Sequence, residues 1–244
     1  MLNKKSKGMK TESGDVLKYS YTFIFQNGGE KVFEILLDKK TLNIVRHSTE
    51  PPPDWARYEN FGCPADECSN RQGDYCPLAV NMQDILQFFS DIPSYEKVTI
   101  RAEANERIYM KETSVQSGVG SLLGLIMPTS GCPVLAKLKP LVRFHLPFAS
   151  IEETEFRVFS MYLLAQYVLM RQGREPDWEM KNLKDVYEQI LRINRNVSSK
   201  IADLENKDAS INAVVALDNF AQFVKSSLDE SDLSDIEALF KEWL

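Results

Sequence analysis

Histidine is scarce in this chain, with two among 244 residues, and no Glu-x-x-His pair occurs. That excludes the usual carboxylate–histidine di-iron chemistry of helical bundles. Basic charge is not in surplus either: 29 Lys and Arg stand against 35 Asp and Glu, for a net charge of −6. A protein that grips nucleic acid through its phosphates needs a basic face, so nucleic acid is not an expected partner. Acidity gathers late, in Lys207–Leu244. The longest apolar candidate, Val158–Met170 between Arg157 and Arg171, has only 13 residues. A membrane-spanning helix takes about 20, so no membrane is expected and the segment reads as a helix buried among other elements. Met1–Lys10 carries lysines with no apolar run behind them, so no secretion signal is visible. A cytoplasmic location is the expectation, and there thiols stay reduced. The glycine-bearing run Ser117-Gly118-Val119-Gly120-Ser121-Leu122-Leu123-Gly124 has neither Gly-x-Gly-x-x-Gly spacing nor a Lys-Ser/Thr. It reads as close helix packing or a hinge, not as a phosphate loop.

The bulk of the chain is ordinary globular material. Hydrophobic residues make up 43% and charged residues 26%, which fits a packed domain and not a disordered chain. Tyr19–Phe25 is aromatic and β-branched and predicts a strand. Asn27-Gly28-Gly29 supplies the positive φ of a hairpin turn, and Lys31–Leu37 returns. Thr41–Val45 is the expected third strand, before Glu50-Pro51-Pro52-Pro53 ends regular structure. Residues 56–77 read as an irregular loop. Val80–Phe89 has helical spacing, with Ile85, Leu86 and Phe89 on one face. Lys97–Ala102 and Arg107–Thr113 form a second hairpin around Asn105.

The second half is helical. Short helices are expected over Ser117–Met127 and Val134–Phe144. Ser150 and Glu153 make a capping box that launches a helix to about Arg171, stopped at Gly173. Asp177 is placed as the N-cap of the next helix, whose inward positions are Leu183, Val186, Tyr187, Ile190, Val197, Ile201 and Leu204. Ile211–Leu228 and Leu233–Leu244 complete a bundle. The fold class is therefore α+β: an N-terminal antiparallel β-sheet with one covering helix, then a C-terminal helical bundle packed on it. The divisions are a flexible tail over 1–17, a sheet region over 18–116 with the loop at 56–77, and a helical region over 117–244.

Four cysteines carry the distinctive chemistry: Cys63, Cys68, Cys76 and Cys132. Three lie in the polar loop, spaced Cys63-x4-Cys68-x7-Cys76, and three of the four precede proline. Cys-Pro turns suit metal-binding knuckles and iron–sulfur ligands, because a fixed φ helps the chain turn around a thiolate. Four thiolates complete a tetrahedral zinc site or hold an iron–sulfur cluster. The spacing is not that of a standard zinc finger or ferredoxin. The competing readings are ordinary buried thiols, which suit Cys132 best, and pairwise disulfides in an oxidising compartment. Cys132 also supports a catalytic reading. Gly131-Cys132-Pro133 opens a predicted helix whose N-terminus favours a thiolate, and His145 is the candidate base. The blander reading of His145 is a hydrogen-bonded structural histidine. Lys137, Lys139 and Arg143 make a small basic run, read as a solvated helix face in preference to an anion contact.

The run Thr129-Ser130-Gly131-Cys132-Pro133 leads on to Arg143-Phe144-His145-Leu146-Pro147-Phe148-Ala149-Ser150, Glu152-Glu153-Thr154 and Tyr162-Leu163-Leu164-Ala165-Gln166-Tyr167. With Pro176-Asp177-Trp178 and the hairpin ahead of a cysteine loop, these resemble an uncharacterised family of bacterial proteins, over about residues 18–225. The resemblance implies a bacterial source and no particular activity. The first cysteine pair departs from it: Cys63 and Cys68 are separated by four residues where members more often have Cys-x-x-Cys, sometimes with a histidine nearby. The leading expectation is a metal-stabilised binding or regulatory module, with zinc at the four cysteines or an iron–sulfur cluster as the alternative. A thiol-dependent enzyme or sensor at Cys132 and His145, and a metal-free interaction scaffold, are the other two. Another protein or a second copy is the expected partner.

Overall fold

The computed structural model describes residues 15–45, 51–64, 68, 73–104, 106–204, 208–230 and 234–243. Four strands form one antiparallel sheet in the order β2-β1-β3-β4, with β1 Val16–Phe25, β2 Glu30–Asp38, β3 Lys97–Ala104 and β4 Arg107–Ser114. Both hairpins are where the turn residues put them, with Phe23 opposite Lys31 in the first and Ala104 opposite Arg107 in the second. Asn105 itself lies outside the described residues, as does the expected tail up to residue 14. Val16 and Leu17, assigned to that tail, already belong to β1.

Strand alternation sorts the two faces. Tyr19, Tyr21, Phe23, Phe33, Ile35, Leu37, Val98, Ile100, Ala102 and Ala104 all point into the core. The opposite face carries exposed ion pairs, Lys18 with Glu34 and Arg101 with Glu103. This is the pattern of an antiparallel sheet wet on one side.

Two helices cover the inward face. The first long one comes after the short α1 (Tyr58–Phe61) and is α2, Pro77–Phe89. It begins earlier than the periodicity predicts, because Pro77 at the first helical position needs no hydrogen-bond partner for its nitrogen. Phe89 is fully buried, with its ring centroid 4.9 Å from Phe23 and 5.7 Å from Phe33. The second is α3, Val115–Thr129, which continues from β4 without a break. A Cβ on Gly118 would stand 1.7 Å from Ile100 Cδ1 and 2.8 Å from Phe23 Cε1. Close packing of helix on sheet is therefore the use of that glycine, as its sequence context suggested.

The remaining helices are α4 Lys139–Arg143, α5 Ile151–Arg171, α6 Lys181–Ala202, α7 Ala209–Glu230 and α8 Ser234–Leu239. The inward face of α6, with Leu183, Tyr187, Ile190, Val197 and Ile201 buried, has the predicted spacing. Leu204 lies beyond the helix end and is exposed. The capping box at Ser150 and Glu153 is present in both directions, Glu153 N donating to Ser150 Oγ at 3.1 Å and Ser150 N to Glu153 Oε2 at 2.7 Å.

Several expectations are corrected. Thr41–Val45 is not a strand but a turn with a single bridge, Leu37 to Ile44. Asp38 Oδ1 accepts from the Lys40 and Thr41 amides and the Thr41 hydroxyl, which curls the chain away from the sheet. The segment 134–144 is not one helix: a 3₁₀ turn, Leu135–Leu138, gives way to α4 at Lys139. Asp177 is not the N-cap of α6, a position held by Met180, yet its carboxylate still accepts from Lys181 N at 3.2 Å and Asn182 N at 2.7 Å. The helix α5 is not buried among other elements. Val158 and Phe159 point inward, while Leu164, Tyr167, Val168 and Met170 are exposed.

Candidate functional site

The cysteine loop is less irregular than its composition implies. A 3₁₀ turn at Asp54–Ala56 leads into α1, and the strand-like pairing of Arg57 with Tyr75 closes the loop across its base. Tyr58 N donates to Asp74 O at 3.0 Å and Cys76 N to Ala56 O at 2.8 Å. Arg57 strengthens the closure, its guanidinium 4.9 Å from the Tyr75 ring centroid and its Nε 2.9 Å from Asp54 Oδ1. Cys76 is thereby fixed as the N-cap of α2. Cys63 comes after α1, directly beyond Gly62, and is half-buried, and Cys68 is buried.

Cys132 comes to this loop from the far side of α3. Gly131 has φ of +100° and lies against Pro77: a Cβ there would sit 3.4 Å from Pro77 Cβ. Asn81 Nδ2 donates to Pro77 O at 2.8 Å and to Ser130 O at 3.1 Å, which ties the two Cys-Pro turns side by side. Both turns present their sulfur in the same way. The backbone N–H groups of Leu78 and Ala79 lie near the Cys76 thiol and lower it, and those of Val134 and Leu135 do the same for Cys132, although Cys76 makes no side-chain capping bond to α2. All four cysteines are free thiols.

Burial pushes the Cys76 and Cys132 thiols up to about 11, the backbone N–H groups pull them back in part, and neighbouring thiols raise them further. The neighbours in question are Cys63 and Cys68 for Cys76, and Cys63 and Cys76 for Cys132. All four sulfurs therefore belong to one electrostatic neighbourhood. They do not close into a coordination sphere: among the described residues, no group of three or more His, Cys, Asp or Glu side chains is arranged to hold a metal ion. The donor set nonetheless suits a soft or borderline cation. The sulfurs of Cys76 and Cys132 are buried, and each has other thiols among the groups that raise it.

The expected activation of Cys132 by a helix N-terminus is reversed. Beyond Pro133 the chain makes only a short 3₁₀ turn, and loss of hydration outweighs the two N–H groups. Cys132 and His145 share no hydrogen bond among the described residues. His145 Nε2 lies 2.5 Å from the Tyr21 hydroxyl, which is 2.8 Å from Ser121 Oγ, and Phe148 N donates to that same Ser121 oxygen at 3.2 Å. Burial, aided by the Arg157 charge, lowers His145 to about 3, so its ring is neutral near physiological pH. This is the hydrogen-bonded structural histidine of the blander reading. Lys139 is likewise not merely solvated: its Nζ donates to Thr41 O at 2.7 Å and Asn43 Oδ1 at 2.6 Å.

Three residues of this region carry no sequence signal for the part they play. Asn81 is one polar residue in an amphipathic helix, and nothing in the sequence relates Tyr21 to Ser121. Only the inward alternation of Tyr19, Tyr21 and Phe23 marks that strand face in advance.

Fold and site together define an α+β protein in which a thiol-rich junction joins sheet, loop and helices. The chain belongs to the family described as domain of unknown function DUF6901, whose model matches residues 18–241. No curated protein and no solved structure matches the chain. Among the described residues, no helix is long and apolar enough to cross a membrane.

Proposed function

We propose that the protein is a binding or regulatory module whose sheet and helical parts are held in register by a zinc ion on Cys63, Cys68, Cys76 and Cys132. The observation that carries this reading is the pairing of the two Cys-Pro turns. Each presents a buried sulfur near two backbone N–H groups, and each stands among other thiols that raise it. Buried thiolates without a counter-charge are unfavourable, and a divalent ion supplies that charge. The ion ties a polar loop with few apolar anchors to the helical half of the chain. Zinc suits four thiolates in a closed structural role, and an iron–sulfur cluster would use the same donors. Thiol catalysis at Cys132 is the weaker reading, because a protonated, buried thiol without a base is a poor nucleophile.

Elemental analysis and a visible spectrum of protein purified without oxygen test this. One zinc per chain and no colour is the expected result. Iron with sulfide and a broad visible absorbance would move the same four ligands to a redox role. No metal in any preparation would leave the interaction scaffold standing.

A further inference from the structure

A cavity of about 460 Å³ lies among α3, α6, α7 and the segment from α4 into α5. Its size falls in the range of small-molecule sites, roughly 300–1,000 Å³. One wall is the face of α3 bearing Ser117, Gly120, Ser121 and Gly124, residues small enough to leave room beside the helix. Most of the remainder is apolar, made of Leu, Met, Phe, Val, Ile, Ala and Pro.

Two buried residues of α6 in this lining carry polar groups. Tyr187 is 4% exposed and Asn194 is 3% exposed. Among the described residues, neither the Tyr187 hydroxyl nor the Asn194 side-chain amide has a hydrogen-bond partner. Both residues line the cavity, and neither polar group is among the described side-chain atoms that are both fully occluded and unpartnered. Seven residues apart on one helix, they stand about 10 Å apart along its axis. Buried polar groups in folded proteins are nearly always satisfied, and a mainly apolar cavity of this size is poorly suited to ordered water alone. Charge adds a second constraint. The charged lining residues are Lys111 and Arg157, with no carboxylate among them. Lys111 is exposed, over the Phe148 ring, while Arg157 donates to the Leu141 and Phe144 carbonyls.

We propose that this cavity binds an anionic amphiphile: a medium-chain carboxylic acid bearing a further oxygen. Its carboxylate meets Lys111 and Arg157, its chain lies along the small-residue face of α3, and its second oxygen bonds Tyr187 or Asn194. This goes beyond the metal reading and does not depend on it.

Calorimetric titration of the full chain tests the proposal, with ω-hydroxydecanoate, decanoate and decyltrimethylammonium as probes below their aggregation concentrations. The hydroxy acid is expected to saturate at one per chain and to bind about tenfold tighter than the cation. Lys111→Glu, at an exposed position, should weaken both carboxylates without weakening the cation. Asn194→Leu and Tyr187→Phe should unfold at no lower temperature than the parent, since each removes an unpartnered polar group. At least one of them should narrow the gap between the hydroxy acid and decanoate. No saturable uptake of either carboxylate, equal binding of anion and cation, or indifference of the carboxylates to Lys111→Glu would overturn it.

Discussion

Cys76→Ser is expected to lose the metal and to lower the unfolding temperature by roughly 6–12 °C, on the scale of 2–4 °C per kcal/mol for a chain of this size. The cost arises in two places. Cys76 is the buried N-cap of α2, so serine there puts a more strongly hydrated hydroxyl into a site shaped for sulfur. On the zinc reading proposed above, loss of one ligand would also release the counter-charge that lets the other sulfurs ionise while buried. A thermal scan with and without chelator separates the metal from the packing. The parent protein should fall on chelation nearly to the level of Cys76→Ser, and the variant should not respond further. A parent indifferent to chelator, beside a variant destabilised only as an ordinary buried cysteine would be, contradicts the metal link.

Phe89→Ala is the largest effect expected in the core, about 3–5 kcal/mol. Its side chain is fully buried, and its ring meets Phe23, Phe33 and Phe88 at centroid distances of 4.9, 5.7 and 4.9 Å. Those contacts join α2 to β1 and β2, so the cavity left by alanine opens at the seam between sheet and helix. Urea unfolding should show a lower midpoint with an unchanged slope, the mark of lost stability without a change in the unfolded state. Phe88→Ala is the control. Phe88 is only half-buried and should cost less. Equal losses at both positions would mean that the seam is not centred on Phe89.

Much of the sheet was legible because its signals are local. Asn27-Gly28-Gly29 fixes one hairpin, and the alternation Tyr19, Tyr21, Phe23 states which side of β1 is inward. The capping box at Ser150 was legible for the same reason: both partners lie within one turn. Long-range choices were not. Thr41–Val45 has strand composition, but Asp38 draws its amides into a turn and Ile44 N bonds Thr129 O at the end of α3. The apolar run of α5 suggested burial because run length does not reveal how much of a helix its neighbours will cover, and here they leave Leu164 and Tyr167 outside. The candidate site divides along the same line. The Cys-Pro turns were visible as residue pairs, whereas their adjacency depends on Asn81 and on Gly131 lying against Pro77. The burial that raises Cys132 is foreseen only in the competing reading of an ordinary buried thiol, since cysteine is often buried whatever its role.

The central claim is that the four cysteines act together as one ligand set. The most direct test is a zinc titration of the reduced, metal-free protein in weak buffer near neutral pH, tracking bound metal and released protons together. The account predicts saturation at one zinc per chain, with protons released as the Cys76 and Cys132 thiols ionise and with all four cysteines then protected from alkylation. Zinc uptake without proton release, or thiols that remain open to alkylation in its presence, would contradict it.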